Sequence, residues 1–357
     1  MDALSSAVPV RESVKSAYRR QRAKRSAFAV TLVPIVIALF VAGMCMGSAD
    51  ISVPDVFAAL AGRVDDGTVM IVWTLRLPRL VTAIIAGIAL GSCGAVMQVL
   101  LRNPLADPYM LGISSAAGFG ASLAIVFGVG FGVSAAVTNS LMVTGNAFLF
   151  SMLSSVLILS LSGGRRGGPD KMVLFGLALL FFFQAMTTMI QYFGDAEAVK
   201  AAMFWTVGDL GKSGWDKIVV MVPVVVVGCG FLTLQAGNLN ALNIGDANAK
   251  SLGVNVRLVR VSCMLVSSLM VSVVVSITGT IGFVGLVAPH MVRLLVGADN
   301  RVLVPASGLA GACLLLLSDT VARTALSPVI LPVGAVTAFL GVPLFVYLIL
   351  RKKGDLS

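Results

Sequence analysis

Ten stretches of this chain are apolar over about the 20 residues that a helix needs to cross a bilayer. They fall near 27–47, 78–101, 110–131, 140–162, 172–193, 217–236, 258–277, 280–297, 303–323 and 333–350. Lipid offers no hydrogen bonds to a chain, so each span must satisfy its own backbone, and runs of this length do so as helices. The expected fold class is therefore an all-α polytopic membrane protein. The eighth span is the weakest, because Pro289, His290 and Arg293 interrupt its second half. Only 12% of the 357 residues are charged and 58% are hydrophobic, whereas a soluble domain carries about 25% charge. The runs are joined without a long linker or low-complexity stretch. One membrane domain is expected over 27–353, behind a basic tail at 1–26 and ahead of a short tail at 354–357.

The net charge of +10 does not indicate nucleic acid. In a membrane chain Lys and Arg chiefly set orientation. An even span count puts both termini on one side; with that side cytoplasmic, 19 of the 26 basic residues fall on it and 7 outside, the bias expected of N-in, C-in. Seven of the 19 precede the first span (Arg11 to Arg25), and no small-residue cleavage site follows a short core, so that span is expected to be retained. The five cysteines lie inside apolar runs without CxxC spacing, and His290 is the single histidine. No metal site or catalytic cluster is expected from these residues. Gly211-Lys212-Ser213 looks like the end of a phosphate loop, but Thr206 stands where its upstream glycine belongs, so nucleotide binding is rejected.

Several polar features break the apolar pattern. The stretch Gln98 to Gly112 carries Arg102, Asn103, Asp107, Pro104 and Pro108 between two spans. It reads as a tight turn at the cytoplasmic surface, with Asp107 and Pro108 as cap and first turn of the third span. Gln184, Thr187, Thr188 and Gln191 share one face of the fifth span. Helix-to-helix hydrogen bonding and the lining of a water-filled path are equally good readings of that stripe. Gly87, Gly91 and Gly94 form a smooth stripe on the second span, read as a helix-packing face; Gly112, Gly118 and Gly120 are read alike. Arg76 and Arg79 oppose the orientation bias, which fits either snorkelling to lipid headgroups or docking to an acidic protein. Arg323 has Asp319 one turn earlier as its natural partner. The segments 48–77 and 194–216 are amphipathic and suit short helices on the outer surface. The 237–257 segment is long for a connector; Asp246 begins a short helix there that Gly253 caps.

In order along the chain stand Arg76-Leu-Pro-Arg79, Gly94-Ala-Val-Met-Gln98, Arg102-Asn-Pro-Leu-Ala-Asp-Pro108, Trp205-Thr-Val-Gly208 and Ser251-Leu-Gly-Val254. They continue with Gly282-Phe-Val-Gly-Leu-Val-Ala-Pro-His290, Asp319 to Arg323, Pro332-Val-Gly334 and Gly341-Val-Pro343. With these the chain resembles, from about 50 to 353, the permease subunits of the FecCD family, found in ABC importers for siderophore-bound iron, haem and cobalamin. The resemblance implies a type II importer permease of ten spans, dimerised with a second permease copy, in a bacterial or archaeal plasma membrane. It implies two separate ABC ATPase subunits that use ATP and magnesium, an extracytoplasmic substrate-binding protein, and no catalysis or cofactor in the chain itself. Carried over residue by residue, Arg76, Arg79 and Arg323 match docking positions. Asn103, Pro104 and Leu105, with Pro169 and Asp170, match a cytoplasmic gate, and the fifth-span stripe matches the pathway. Asn240, Leu242, Gly245, Asp246, Ala249, Leu252 and Gly253 match the ATPase-coupling segment. Ile330 stands where the family often has Glu, and Asn300 where it often has His. An iron chelate is the expected cargo, with cobalamin or a molybdate-type oxyanion as alternatives. An ion-coupled secondary transporter would place ionisable residues near mid-span, and almost none are there.

Overall fold

In the computed structural model the described residues are 27–47, 51–130, 133–134, 140–162 and 168–354. The basic tail at 1–26 and the last residues, 355–357, lie outside them. The chain folds as a helical bundle. Its helices are α1 (Ala27–Cys45), α2 (Val53–Leu60), α3 (Asp66–Leu100), α4 (Ile113–Phe127), α5 (Ser140–Ser162) and α6 (Pro169–Phe193). There follow α7 (Ala196–Thr206), α8 (Trp215–Leu234), α9 (Ala236–Asn243), α10 (Asp246–Ser251), α11 (Val256–Thr278), α12 (Val284–Val296), α13 (Asn300–Thr324) and α14 (Val333–Gly354). Helices coincide with all ten expected spans. Seven are long and apolar enough to cross a membrane, while Ile113–Phe127, Val284–Val296 and Val333–Tyr347 are shorter apolar segments.

Three expectations need correction. The third span begins at Ile113, not 110, because Asp107 caps a separate 3-10 turn, Pro108–Leu111, that ends at Gly112 in a left-handed conformation (φ +66°). Its helix also stops early. Gly128 (φ +63°) turns the chain into a two-residue strand, Val129–Gly130, paired antiparallel with Val133–Ser134. The eighth span shrinks to Val284–Val296, entered through Phe283 at φ +68°. The amphipathic outer segments form α2 and α7 as expected. A π-helical stretch, Ile71–Arg76, runs into the main body of α3.

The bundle is organised on α3, which is buried over most of its length. Its glycine stripe packs backbone to backbone. A Cβ on Gly87 would fall 2.5 Å from the Cα of Ala312, one on Gly91 2.8 Å from the carbonyl carbon of Ser307, and one on Gly94 2.6 Å from that of Gly285. The close approach of small residues gives dispersion contacts between helices that have no hydrophobic drive to associate in lipid. Of the other three glycines, Gly120 packs the same way against Asn146. Gly112 is required by its φ, and Gly118 meets only the Thr206 methyl at 3.6 Å.

Candidate functional site

The stripe on α6 lines a cavity of about 400 Å³. Gln184, Thr187, Thr188 and Gln191 face Ser114, Ser115 and Gly118 of α4 across it, with Tyr109, Thr206 and Thr280 completing the wall. The Thr187 and Thr188 hydroxyls donate to the carbonyls of Phe183 (2.8 Å) and Gln184 (3.0 Å) in their own helix. Neither of these two bonds ties α6 to a neighbour. No charged side chain is among the lining residues. The sequence reading missed Tyr109, Ser114, Thr206 and Thr280. Thr206 and Thr280 meet because Gly208 (φ +73°) and Gly279 (φ +71°) let two chain turns touch, and the Thr280 hydroxyl donates to the Thr206 carbonyl. The two glycines were visible in the sequence, but their mutual contact was not.

At one end of the bundle the three arginines converge. They are not snorkelling: Arg76, Arg79 and Arg323 are each under 8% exposed. Asp319, fully buried on α13, accepts from Arg79 Nε at 2.6 Å and from Arg323 Nε at 2.9 Å. The expected Asp319–Arg323 pair is therefore present, but it is shared with α3. Arg323 also donates to the carbonyls of Gly43 and Met46, both at 2.9 Å, and Arg76 to those of Met44 and Cys45. These carbonyls, at and just beyond the end of α1, lack helical partners, and the guanidiniums supply them. Asp209 lies 3.6 Å from Arg79. Among the described residues, Arg79 and Arg323 gather around the carboxylates of Asp209 and Asp319. Asp209 was not anticipated; nothing in its local sequence signals a partner 130 residues away.

The opposite end carries the 101–107 turn. Asn103 closes it by accepting from the Leu105 N–H through its side chain (2.9 Å) and from Ala106 through its carbonyl (3.0 Å). Pro104 and Leu105 are exposed. Pro169 and Asp170 open α6, whose Gly176 packs on Met110 and Leu111 just past the turn. The supposed 237–257 loop is α9 and α10. Gly253 (φ +80°) follows α10, and the Val254 N–H bonds to the Ala249 carbonyl at 3.0 Å. Leu242 and Ala249 are buried against the bundle, so they hold this segment rather than face a partner. The outward face is Ile244 and Leu252, 63% and 66% exposed, beside Gly245 and Asp246. Asn240 bonds to Asp299 (2.7 Å) and accepts from the Asn300 backbone N–H (2.8 Å) at the start of α13.

Comparison with known proteins agrees with this arrangement. Residues 35–351 match the model of the FecCD transport family. The hemin transport system permease protein HmuU of Yersinia pestis is 39% identical over 287 residues, covering 80% of this chain and 85% of that protein. The vitamin B12 import system permease protein BtuC of Klebsiella pneumoniae is 36% identical over 336 residues, 94% of this chain and 96% of its own length. A solved inward-facing structure of an ABC transporter ascribed to the metal-chelate type superposes with a TM-score of 0.81 at 30% identity, covering 91% of this chain and 99% of that one. The chain belongs to the FecCD transport family and is the multi-pass, inner-membrane permease subunit of an ABC importer, with ATP hydrolysis left to separate subunits.

Proposed function

We propose that this permease imports an iron chelate, siderophore-bound iron or haem, handed to it by an external binding protein. The observation that carries the reading is the polar, uncharged cavity on α6. Amide and hydroxyl groups wet a path without holding a large chelate tightly. An oxyanion cargo is disfavoured, because a desolvated oxyanion is usually met by Arg or Lys and none lines the cavity. Cobalamin is the second reading, supported by the relatedness to BtuC.

In this reading two identical chains pair with their cavities facing each other, since Gln184 and Thr188 of the α6 stripe are exposed in the single chain. Arg76, Arg79 and Arg323 receive the acidic face of the binding protein. Asn103, Pro104 and Leu105, with Pro169 and Asp170, close the cytoplasmic mouth. The α9–α10 segment meets the ATPase through Ile244 and Leu252, with Asn240, Leu242, Gly245, Asp246, Ala249 and Gly253 shaping it. The docking arginines themselves are poor targets for mutation, because they also hold α1, α3 and α13 together.

Two experiments test the reading. Calorimetry of the cognate binding protein against ferric siderophores, haem and cobalamin names the cargo; binding of cobalamin alone overturns the iron assignment. Gly118→Leu places a side chain in the cavity, where a Cβ meets only ordinary contact. Uptake into proteoliposomes holding the full transporter should fall by at least about tenfold, roughly 1.4 kcal/mol on the rate, with the fold retained. Undiminished uptake in that variant rules the cavity out as the path.

A further inference from the structure

One carboxylate joins the ATPase-facing helix to the inner turn. Asp246, the first residue of α10, accepts from Arg102 Nη2 at 2.5 Å and from Arg260 Nη2 at 3.0 Å and 3.3 Å. Arg260 sits one turn into α11, and Arg102 is the second residue beyond α3. The turn after α3, 144 residues away in sequence, thus meets the consecutive helices α10 and α11 on a single side chain.

The backbone on either side of this carboxylate takes left-handed turns. Arg102 holds a left-handed φ of +50°, which side chains other than glycine rarely adopt. It is immediately followed by the turn that Asn103 braces from both its side chain and its carbonyl, with the Asn103 N–H itself bound to the Gln98 carbonyl at 3.2 Å. Displacing Arg102 therefore carries Asn103, Pro104 and Leu105 together. On the other side, α10 is flanked by glycines at φ +111° (Gly245) and φ +80° (Gly253). By contrast α9 is pinned: its Asn240 is bonded into the start of α13, and α13 is locked to α3 by the glycine seam. A load on exposed Ile244 or Leu252 meets α9, fixed through Asn240, and α10, which rests on the bundle through Ala249 and carries Asp246 as its first residue.

We propose that Asp246 is the link that transmits movement of α10 to the 102–106 turn, with Arg102 as the positioning residue for Asn103 and Leu105. This rests on reading that turn as the cytoplasmic gate and α9–α10 as the ATPase contact. The link is electrostatic and half-exposed, with side-chain exposures of 43% for Arg102 and 33% for Asp246. It can form and break within a transport cycle, unlike the fully buried Asp319 pair.

The test uses the full transporter, permease with its ATPase and binding-protein subunits, in nanodiscs. Leu105→Cys reports the turn through labelling by a hydrophilic maleimide, read by peptide mass spectrometry in nucleotide-free and vanadate-trapped states. In that background the two states should label to different extents. Adding Arg102→Gln should bring their ratio to about one, since a ligand without differential contact shifts nothing, while ATP hydrolysis continues. Arg102→Lys should restore the difference, which a merely structural role would not require. Labelling that still follows nucleotide in Arg102→Gln overturns the link, as does a failure of Arg102→Lys to restore it. Equal labelling of both states in Leu105→Cys alone overturns the gate reading instead.

Discussion

Gly94→Ala is expected to weaken this bundle through a single methyl group. The added Cβ would stand 2.6 Å from the carbonyl carbon of Gly285, and closer still to its oxygen. Carbon atoms in contact prefer about 3.5–4.0 Å, so α3 and α12 must part by about 1 Å. Both clashing groups are helix backbone, and no rotamer change relieves them. Overpacking costs about 1–3 kcal/mol, and a clash with no soft partner belongs at the upper end. Alanine returns about 1 kcal/mol of helix propensity, leaving a net loss of about 2 kcal/mol. Gly145→Ala is the matched comparison. It lies within α5 with nothing inside 4 Å of its Cβ position, so only the propensity gain of about 1 kcal/mol remains. The two alanines should therefore differ by about 3 kcal/mol and lie on opposite sides of the parent protein. Membrane bundles commonly unfold irreversibly, so the assay is the temperature that halves the monodisperse peak on size exclusion after a fixed heating time. A Gly94→Ala protein that survives as well as Gly145→Ala would refute the argument that the seam is in backbone contact.

Asp319→Asn should destabilise by about 3–5 kcal/mol, because two buried guanidiniums lose their shared counter-charge; folded yield near that of the parent would count against it. Asp209→Asn keeps the side-chain oxygen that caps Gly211 (2.7 Å) but removes a part-exposed negative charge beside Arg79, which stays paired with Asp319. Binding-protein affinity should rise several-fold at low salt, with the gain fading as salt is added, and weaker docking would contradict the proposal that an acidic partner docks here. Burial raises the Asp107 carboxyl to about 6, against the lowering effect of its bond from the Tyr109 N–H. A carboxyl raised on folding favours the folded state below its unfolded value near 4 and loses that contribution as pH climbs through about 6. Thermal stability of the parent relative to Asp107→Asn should thus fall between pH 4 and pH 6; a flat difference would show that the carboxyl is not desolvated.

The ten apolar runs made the helices legible, because lipid leaves so few options to a long apolar segment. Their ends were less legible. Phe283 and Gly112 sit in left-handed conformations that shorten two spans, and only the glycine advertises such a conformation in sequence. The α6 stripe was visible as a helical face, yet its meaning depended on what stood opposite, and Ser114 and Thr280 come from elements distant in the chain. The arginines were legible as residues out of place. Their shared partner Asp319 was seen for Arg323, four residues away, and missed for Arg79, 240 residues away. The 237–257 segment was read from Asp246 and Gly253 as one helix. The second, α9, escaped notice because Asn238, Asn240 and Asn243 are weak helix formers, and buried Leu239 and Leu242 fix it from the tertiary side.

The seam between α3 and α13 also sets how far a signal has to be relayed. The straight part of α3, 24 residues from Leu77 to Leu100, is about 36 Å long at 1.5 Å per residue. Arg79 stands near one end and Arg102 just past the other. Backbones in contact cannot slide a residue without collision, so the pair behaves as one stiff beam. A tilt of about 5° about one end displaces the other by about 3 Å over that length. That is close to the size of an atom, and it requires no side chain along the way to change rotamer. In a beam of this length a small tilt at one end is felt at the other by leverage alone.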